Sequence, residues 1–441
     1  MIPVRGIVLL AIFIPSLPIC FFNPFYGIVV WTIIAFLNPQ WYTWWAAYIV
    51  PWALATAIPT LAGFVVFNRG WGRMVSRESC LVLILWIWFT ITTMISTHNP
   101  VFAGHAEDTW ARWQFVSKIL LMTIVTMAIV DSFSRLRKLV IVIACCFGFF
   151  VAKSLPFMIA TGGAYRIYGP EKSMIADNND FGLALNMTVP IFFFLAQSES
   201  KPWVKRIFWS LFFMAIPTIL FTYSRGALVG LLAVLALLLL RSKQRAFFIP
   251  ALALGLFIAT VFAPQNWKDR MDLTSGNVVD RSAESRFNAW TYSWRLAMDY
   301  PIAGGGFDDF WKELFDRYAP NPQDIHGPHS IYFGVLAEHG FVGLALYLIV
   351  VFSCFGTCIR ILKLARIYED PVAANYANMF LLSLVGFLTS GTFLGRAYFD
   401  YYFTILACIS ILKRVCFETW SQQTPEDLAQ CESLSPAAEA V

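Results

Sequence analysis

Residues 331–357, with the sequence IYFGVLAEHGFVGLALYLIVVFSCFGT, form an apolar run long enough to cross a lipid bilayer as one helix. Glu338 is the only residue in this run that is charged at pH 7. Because only helices and closed barrels satisfy their backbone hydrogen bonds in hydrocarbon, such runs predict an all-α polytopic integral membrane protein. Similar runs lie near 44–67, 79–96, 113–130, 139–159, 181–196, 207–222, 225–240, 246–263, 375–394 and 398–413.

Clusters of lysine and arginine between these runs predict the orientation of the helices, because basic loops stay on the cytoplasmic side. If Arg5 also lies inside, residues 3–43 contribute an odd number of crossings, and the short apolar piece 25–37 continues the first helix or re-enters. The simplest total is about twelve membrane-spanning helices with both termini cytoplasmic. The clusters are Arg69/Arg73/Arg77, Arg135/Arg137/Lys138, Lys201/Lys205/Arg206, Arg241/Lys243/Arg245, Arg360/Lys363/Arg366 and Lys413/Arg414.

The remaining composition excludes several kinds of site. None of the nine cysteines falls in a loop assigned outside, so we expect no disulfides. Since 58% of the residues are hydrophobic and only 13% are charged, the net charge of +5 reflects loop orientation, and we expect no nucleic-acid partner. Residues 417–441 are polar and slightly acidic at their end, which predicts a disordered cytoplasmic tail.

The longest loop, residues 264–330, lies outside in this topology, and its pattern predicts order. Apolar residues at 287, 290, 294, 297 and 298 predict an amphipathic helix whose aromatic face suits the membrane interface. A glycine-rich turn at 304–306 then leads into a second short helix. These glycines could also cradle a phosphate, but the stretch lacks the Lys-Ser/Thr of a P-loop, so a tight turn is favoured.

Arginines stand in three outer segments where membrane orientation does not require them, namely Arg166, Arg225 and Arg286. A guanidinium grips phosphate oxygens in pairs and keeps its proton, so these side chains are candidates for binding an anion. The structural alternative is that each arginine only reaches toward the interface. Arg225 is the sharpest candidate, because its Ser-Arg-Gly turn joins two spans tightly.

Three of the five histidines, His326, His329 and His339, lie within fourteen residues. His329 is the candidate general base, because a histidine titrates near neutrality and can accept a proton from a sugar hydroxyl. His326 and Tyr332 are candidate supporting neighbours, whereas His339 is expected to pack inside the helix. On the structural alternative, His326 and His329 are loop residues at the water interface.

His329-Ser330, nine further residues and then Gly340-Phe341-Val342-Gly343 resemble the H-[N/S]-x9-G-x-x-G signature of bacterial O-antigen ligases. Trp290 with Pro301-Ile302-Ala303-Gly304 is similar to the outer loop of the same family, and the resemblance covers residues 180–395. The N-terminal stretches NPFYGIVVWTIIAFLNPQWYTW and RIYGPEKSMIADNND resemble exosortase-associated O-glycosylation ligases.

The resemblance implies a GT-C-like fold, with an N-terminal transmembrane region at 1–178 and a ligase/polymerase-like domain at 179–416. It implies an inverting, metal-independent glycosyltransferase of lipopolysaccharide biosynthesis, active at the periplasmic face of the bacterial inner membrane. The donor would be O-antigen glycan on undecaprenyl diphosphate and the acceptor a hydroxyl of lipid A-core. Membrane lipids would surround the enzyme, and no cofactor is required because the donor is already activated.

The family's essential histidine corresponds to His329, and its two essential arginines correspond to Arg225 and Arg286. Arg166, as a further diphosphate ligand, and Asn179, as a supporting residue, are weaker transfers. In this reading the arginines neutralise charge on the leaving diphosphate.

Other functions remain open at this stage. An O-antigen polymerase or a protein O-glycosylation ligase would use the same donor with a different acceptor. A metal ion bound by Asp308-Asp309 is a competing mechanism, although adjacent residues on a helix point to different faces. A lipid-linked glycan transporter or flippase is the alternative outside the enzymes, and Lys153, inside a predicted span, is the feature that favours it.

Overall fold

The computed structural model describes residues 4–43, 50–67, 70–241, 264–265, 267–268 and 281–422, which are mainly helical and include no β-strand. The predicted span at 246–263 lies outside the described residues. The α-helices, numbered in chain order, are α1 (Val4–Phe22), α2 (Pro24–Phe36), α3 (Trp52–Phe67), α4 (Arg77–His98), α5 (Ala106–Ile129), α6 (Phe133–Thr161), α7 (Asn178–Ser198), α8 (Pro202–Leu220), α9 (Arg225–Arg241), α10 (Arg281–Asp299), α11 (Lys312–Tyr318), α12 (Ile331–Ile367), α13 (Pro371–Gly391) and α14 (Asp400–Trp420).

Eight of the described helices are long and apolar enough to cross a membrane, namely α1, α4, α5, α6, α7, α8, α12 and α13. The prediction of an all-α polytopic membrane protein is therefore confirmed. Several helices run longer than predicted, because the helix continues past the apolar run into charged residues. α12 continues to Ile367, and α14 continues to Trp420, so residues 417–420 are helical rather than disordered. Residues 423–441 of the predicted tail lie outside the described part of the chain.

In the N-terminal segment α2 is a separate helix, so of the two predicted alternatives for residues 25–37 the continuation of α1 is wrong. The chain reverses at Asn23-Pro24, where proline starts a new helix without needing a backbone donor. The end of α1 lies beside the end of α3, with the rings of Phe21 and Phe67 5.1 Å apart. The start of α1 lies at the opposite end of the bundle, beside Tyr42.

The start of α1 and the end of α14 consequently lie at opposite ends of the bundle. Tyr42, beside the start of α1, is 3.5 Å from the exposed amine of Lys153, in the second half of α6. The end of α14 instead lies near the start of α6, where Arg414 donates to the carbonyl of Met127 at 2.7 Å. Residues 4–36 form two antiparallel helices instead of the single predicted crossing, whereas the side on which each terminus lies stays a prediction.

α7 lies at the centre of the bundle, and nearly every one of its residues is buried. It packs against α6, α8, α9 and α13. Asn186 of α7 donates from its side-chain amide to the carbonyl of Ala227 at 2.7 Å and to the hydroxyl of Ser390 at 2.9 Å. Interhelical hydrogen bonds of this kind hold membrane helices together, so Asn186 joins α7 to α9 and α13.

We call the end of the bundle where α7, α9 and α12 begin the outer end.

α12 is broken at Gly340, where φ is 67° and ψ is −172°. The backbone of residues 301–306 occupies this break. The N–H of Phe341 donates to the carbonyl of Pro301 at 2.8 Å. A Cβ at position 340 would lie 2.6 Å from the carbonyl oxygens of Pro301 and Ile302, so only glycine fits.

The glycine-rich turn at 304–306 docks on the same break. The N–H groups of Gly305 and Gly306 donate to the carbonyls of Ala337 and Glu338, at 2.8 and 2.9 Å. Gly304 and Gly306 have positive φ, which agrees with the predicted tight turn. Because both N–H groups are already bonded to backbone, the alternative of a phosphate cradle here is wrong.

α10 and α11 form a small helical unit at the outer end. Tyr292 and Leu296 of α10 pack on Phe315 of α11, and all three are buried. The predicted amphipathic helix exists, and Phe287 and Trp294 of its predicted aromatic face are exposed. Two faces of α10 thus carry apolar residues, and the face with Tyr292 meets α11. The second predicted helix begins only at Lys312 (α11), after an irregular segment at 307–311.

Candidate active site at the outer end of the bundle

His329 directly precedes α12 in a constrained backbone conformation. Its φ is 44°, a left-handed value that is uncommon for a residue with a side chain. Trp290 of α10 donates from its indole nitrogen to the carbonyl of Pro328 at 2.7 Å. On the other side, Gly395 packs against the backbone of His329. Since neighbours on both sides hold this conformation, the backbone of His329 has a defined position.

Burial and the surrounding charges together lower the pKa of His329. Partial burial is the largest cause, followed by the positive charges of Arg286 and His326, and Arg396 acts in the same direction. Asp177, at the start of α7, opposes them. These groups come from four different segments of the chain. Because the pKa lies below its ordinary value, the ring of His329 is neutral near pH 7 and can accept a proton.

Arg396 is the site residue that sequence reasoning missed. It lies in the loop 392–399 between α13 and α14 and donates to Asp180 of α7 at 2.6 Å. Its Nε has no hydrogen-bond partner among the described residues. A signal was present in the sequence, because Arg396 stands at a short outer junction between two predicted spans, as Arg225 does.

Arg225 and Arg166 lie beside this cluster. Arg225 is half-buried at the first turn of α9, and the following Gly226 packs against Phe393 of the loop 392–399. Arg166 is exposed, and its charge acts on the hydroxyl of Tyr223, two residues before Arg225. The structure thus brings the charges of Arg286 and Arg396 to His329, places Arg225 on the adjacent turn, and places Arg166 in the segment between α6 and α7 near Tyr223 of that turn.

The predicted supporting residues have different surroundings. Asn179 bonds locally, donating to Asp177 at 2.8 Å. The preceding Asn178 makes the longer-range contact, because its amide donates to the carbonyl of Thr222 at 2.6 Å and so holds the turn before Arg225. The hydroxyl of Tyr332 donates to the carbonyl of Leu388 at 3.3 Å and joins α12 to α13.

The histidines separate into two environments. The ring of His326 lies 5.8 Å from that of His329, and neither of its nitrogens has a partner among the described residues. His339 is fully buried, stacks on Phe89 at 4.1 Å and is hydrogen-bonded to Thr92 at 2.7 Å. His339 therefore packs inside the bundle, as predicted.

The adjacent carboxylates of Asp308 and Asp309 also face different surroundings. Asp308 is half-exposed and lies 3.9 Å from Arg112. Asp309 is fully buried, and neither carboxyl oxygen has a partner among the described residues. In the described part of the chain, no group of three or more His, Cys, Asp or Glu residues could hold a metal ion. The pair thus has separate surroundings rather than a common one.

The fold and this cluster define a polytopic membrane protein with a histidine and several arginines gathered at one end of its helix bundle. Residues 191–348 match a family model described as O-antigen ligase, and this match supports the resemblance to the O-antigen ligase superfamily. Residues 4–200 match a second family model, described as a family of unknown function (DUF5935). No curated protein matches the chain.

The match with the O-antigen ligase model begins within α7 and ends within α12. It therefore includes Arg225, Arg286 and His329, whereas Arg396 lies beyond it. The match supports a membrane enzyme of the O-antigen ligase/polymerase family that resembles a glycosyltransferase, and such a family implies lipid-linked glycans and lipids as partners. The predicted boundary between 178 and 179 stays a prediction.

Proposed function

We propose that this chain is an inverting, metal-independent membrane glycosyltransferase. It transfers O-antigen glycan from undecaprenyl diphosphate to a hydroxyl of lipid A-core in lipopolysaccharide biosynthesis. The observation that carries the proposal is the convergence of His329, Arg286 and Arg396 at the outer end of a chain with an O-antigen ligase domain.

His329 serves as the general base. Its lowered pKa leaves the ring neutral at physiological pH, so it can take the proton of the acceptor hydroxyl as the oxygen attacks. The oxygen approaches the anomeric carbon from the side opposite the diphosphate. The new C–O bond forms as the bond to the diphosphate breaks, which inverts the configuration.

The arginines stabilise the diphosphate as it leaves. The charges of Arg286 and Arg396 act on His329, Arg225 lies on the neighbouring turn, and the charge of Arg166 acts on Tyr223 of that turn. Charges held in place where negative charge develops stabilise a transition state by several kcal/mol, at about 2.7–4 kcal/mol per group in measured cases. The N-termini of α7 and α9 add partial positive charge at the same end. Metal independence follows from arginines supplying this neutralisation.

The outer end faces the periplasm in this proposal, and the protein resides in the bacterial inner membrane. Basic residues collect at the other end of the bundle, among them Arg73, Arg135 and Arg414 around Asp131 and the end of α5. The positive-inside rule places that end in the cytoplasm. The end of α14 is then cytoplasmic, and the start of α1 is periplasmic.

Acceptor choice is tested by transfer in vitro with purified protein and undecaprenyl diphosphate glycan. Lipid A-core, a second lipid-linked glycan and a glycoprotein are offered in parallel, each with and without EDTA. We expect product with lipid A-core in the presence of EDTA, and NMR of the new glycosidic bond should show inversion. Product only with the second glycan would assign a polymerase, and product only with the protein would assign a protein ligase.

The base assignment is tested with His329→Ala, for which we expect a fall in transfer of about 10²–10⁴-fold. His98→Ala is the matched control, because His98 is exposed at the end of α4 and bonds only the carbonyl of Met94 among the partners described. Full transfer by His329→Ala would remove the base role. Loss of transfer in EDTA that a divalent cation restores would overturn metal independence, and glycan flipping without product would assign a transporter.

A further inference from the structure

Glu338 is a buried carboxylate that receives hydrogen bonds from two separate loops. It lies in the short N-terminal segment of α12, between His329 and the break at Gly340, and only 4% of its surface is exposed. Its Oε1 accepts from the backbone N–H of Asp308 at 3.1 Å. Its Oε2 accepts from the hydroxyl of Tyr398. One side chain thus connects α12 to the loop 300–311 and to the loop 392–399.

Each of these loops belongs to a segment that carries a charge of the candidate site. The loop 300–311 follows α10, which holds Arg286 and contacts the peptide before His329 through Trp290. The loop 392–399 holds Arg396, and its Gly395 packs on the backbone of His329.

We infer that Glu338 is a positioning residue, which holds both loops against α12 and so sets the places of Arg286 and Arg396 around His329. The inference rests on the proposed function, in which these three residues act on the same donor and acceptor. Glu338 itself is buried and lies nine residues after His329 in the chain. It therefore acts through the loops and not on substrate.

The chemistry of the side chain suits this role. Its two side-chain oxygens let one residue accept a hydrogen bond from each loop. Alanine would lose both bonds and leave the hydroxyl of Tyr398 buried without this partner. Glutamine would keep a carbonyl for the N–H of Asp308 and an amide that can donate to the oxygen of Tyr398. Glutamine should therefore largely preserve the geometry.

Other contacts, one to α5 and one to α12, hold both loops in place when Glu338 is changed. The hydroxyl of Thr109 donates to the carbonyl of Phe307 at 3.1 Å. The hydroxyl of Tyr347 donates to the carbonyl of Ala397 at 3.0 Å. The expected result of removing Glu338 is therefore looser placement of the arginines and not unfolding of the chain.

The test measures the titration of His329 directly, by NMR of isotope-labelled histidine in the purified full-length protein. The groups that act on His329 are Arg286 of α10, His326 of its own loop, Arg396 of the α13–α14 loop and Asp177 of α7. In Glu338→Ala the loops loosen, hydration of the ring increases and the arginines move away. The titration midpoint of His329 should therefore rise toward its ordinary value, and Glu338→Gln should restore it.

Kinetics supply the second readout. We expect kcat of Glu338→Ala to fall by about 100-fold, the effect of a displacement near 1 Å, with a smaller change in KM for the acceptor. Tyr398→Phe removes one of the two bonds and should shift the His329 titration in the same direction by less. Glu78→Ala is the matched control, because Glu78 is a buried carboxylate that accepts from Lys413 at 2.6 Å and Thr357 at 2.7 Å near the opposite end.

Glu78→Ala should lower the unfolding midpoint but leave the His329 titration and kcat unchanged. An unchanged His329 titration in Glu338→Ala overturns the inference, and so does an equal shift in Glu78→Ala. The interpretation of the NMR result does not depend on the proposed function. If His329→Ala keeps full transfer, the proposed function fails while the titration still shows whether Glu338 positions the loops.

Discussion

Replacing Gly340 with alanine tests whether the break in α12 exists to receive the loop 301–306. The backbone at Gly340, with φ 67° and ψ −172°, lies in a region that is essentially restricted to glycine, where strain costs about 1–3 kcal/mol. The new Cβ would also lie 2.6 Å from the carbonyl oxygens of Pro301 and Ile302. The loop must therefore move away from the helix.

That movement would weaken the three backbone hydrogen bonds that join the loop to residues 337–341. Each is worth about 0.5–1.5 kcal/mol. Strain together with the loss of one to three bonds gives a fall in the free energy of unfolding of roughly 2–7 kcal/mol. Because the loop is continuous with α10, which carries Arg286 and Trp290, transfer activity should fall as well.

The assay is denaturant unfolding of purified protein in detergent, with Gly356→Ala as the matched control. Gly356 lies in the same helix, is exposed, and a Cβ there would meet nothing within 4 Å. Alanine at that position should stabilise the helix by about 0.5–1 kcal/mol. Equal unfolding free energies for the two variants would refute the role given to the break.

Three further predictions concern charge. Because the pKa of His329 is lowered from 6.5, the acid limb of the kcat/KM profile should lie below pH 6.5, and a limb above that value would contradict the neutral base. Burial, and then the charge of Glu338, raise the pKa of the Asp309 carboxyl well above 3.8. The free energy of unfolding of the wild type therefore falls as pH rises above 3.8, because the buried carboxyl has to lose its proton. Asp309→Asn should raise the unfolding midpoint at pH 8 more than at pH 4, and an equal change at both would refute this. Arg396→Gln should raise KM for the lipid-linked donor by about 10- to 100-fold, because a hydrogen bond to a charged group is worth about 1.5–3 kcal/mol. Arg396→Lys should not restore KM, because Asp180 orients a guanidinium at this position. An unchanged KM would remove Arg396 from the donor site.

Hydropathy predicted the spans well because membrane insertion depends on a local property, the apolar length of each segment. It failed for residues 4–36, where the 13-residue α2 is too short to be recognised as a separate helix by length alone. Helical periodicity predicted α10 but not its packed face, because apolar residues occur on two faces of that helix. Which face is buried depends on the position of α11, and that position is a tertiary property.

The sequence by itself determined that the chain is a helical membrane protein, and it marked His329, Arg225 and Arg286 through local turns and a spaced motif. The tertiary structure decided which charges meet at His329. Asp177, Arg286 and Arg396 lie far apart in the chain and act on the same ring only because α7, α10 and the α13–α14 loop converge. It also decided the role of the glycines at 304–306 and 340, which dock one backbone against another. These contacts depend on how helices pack against each other, and periodicity along one segment carries no information about its neighbours.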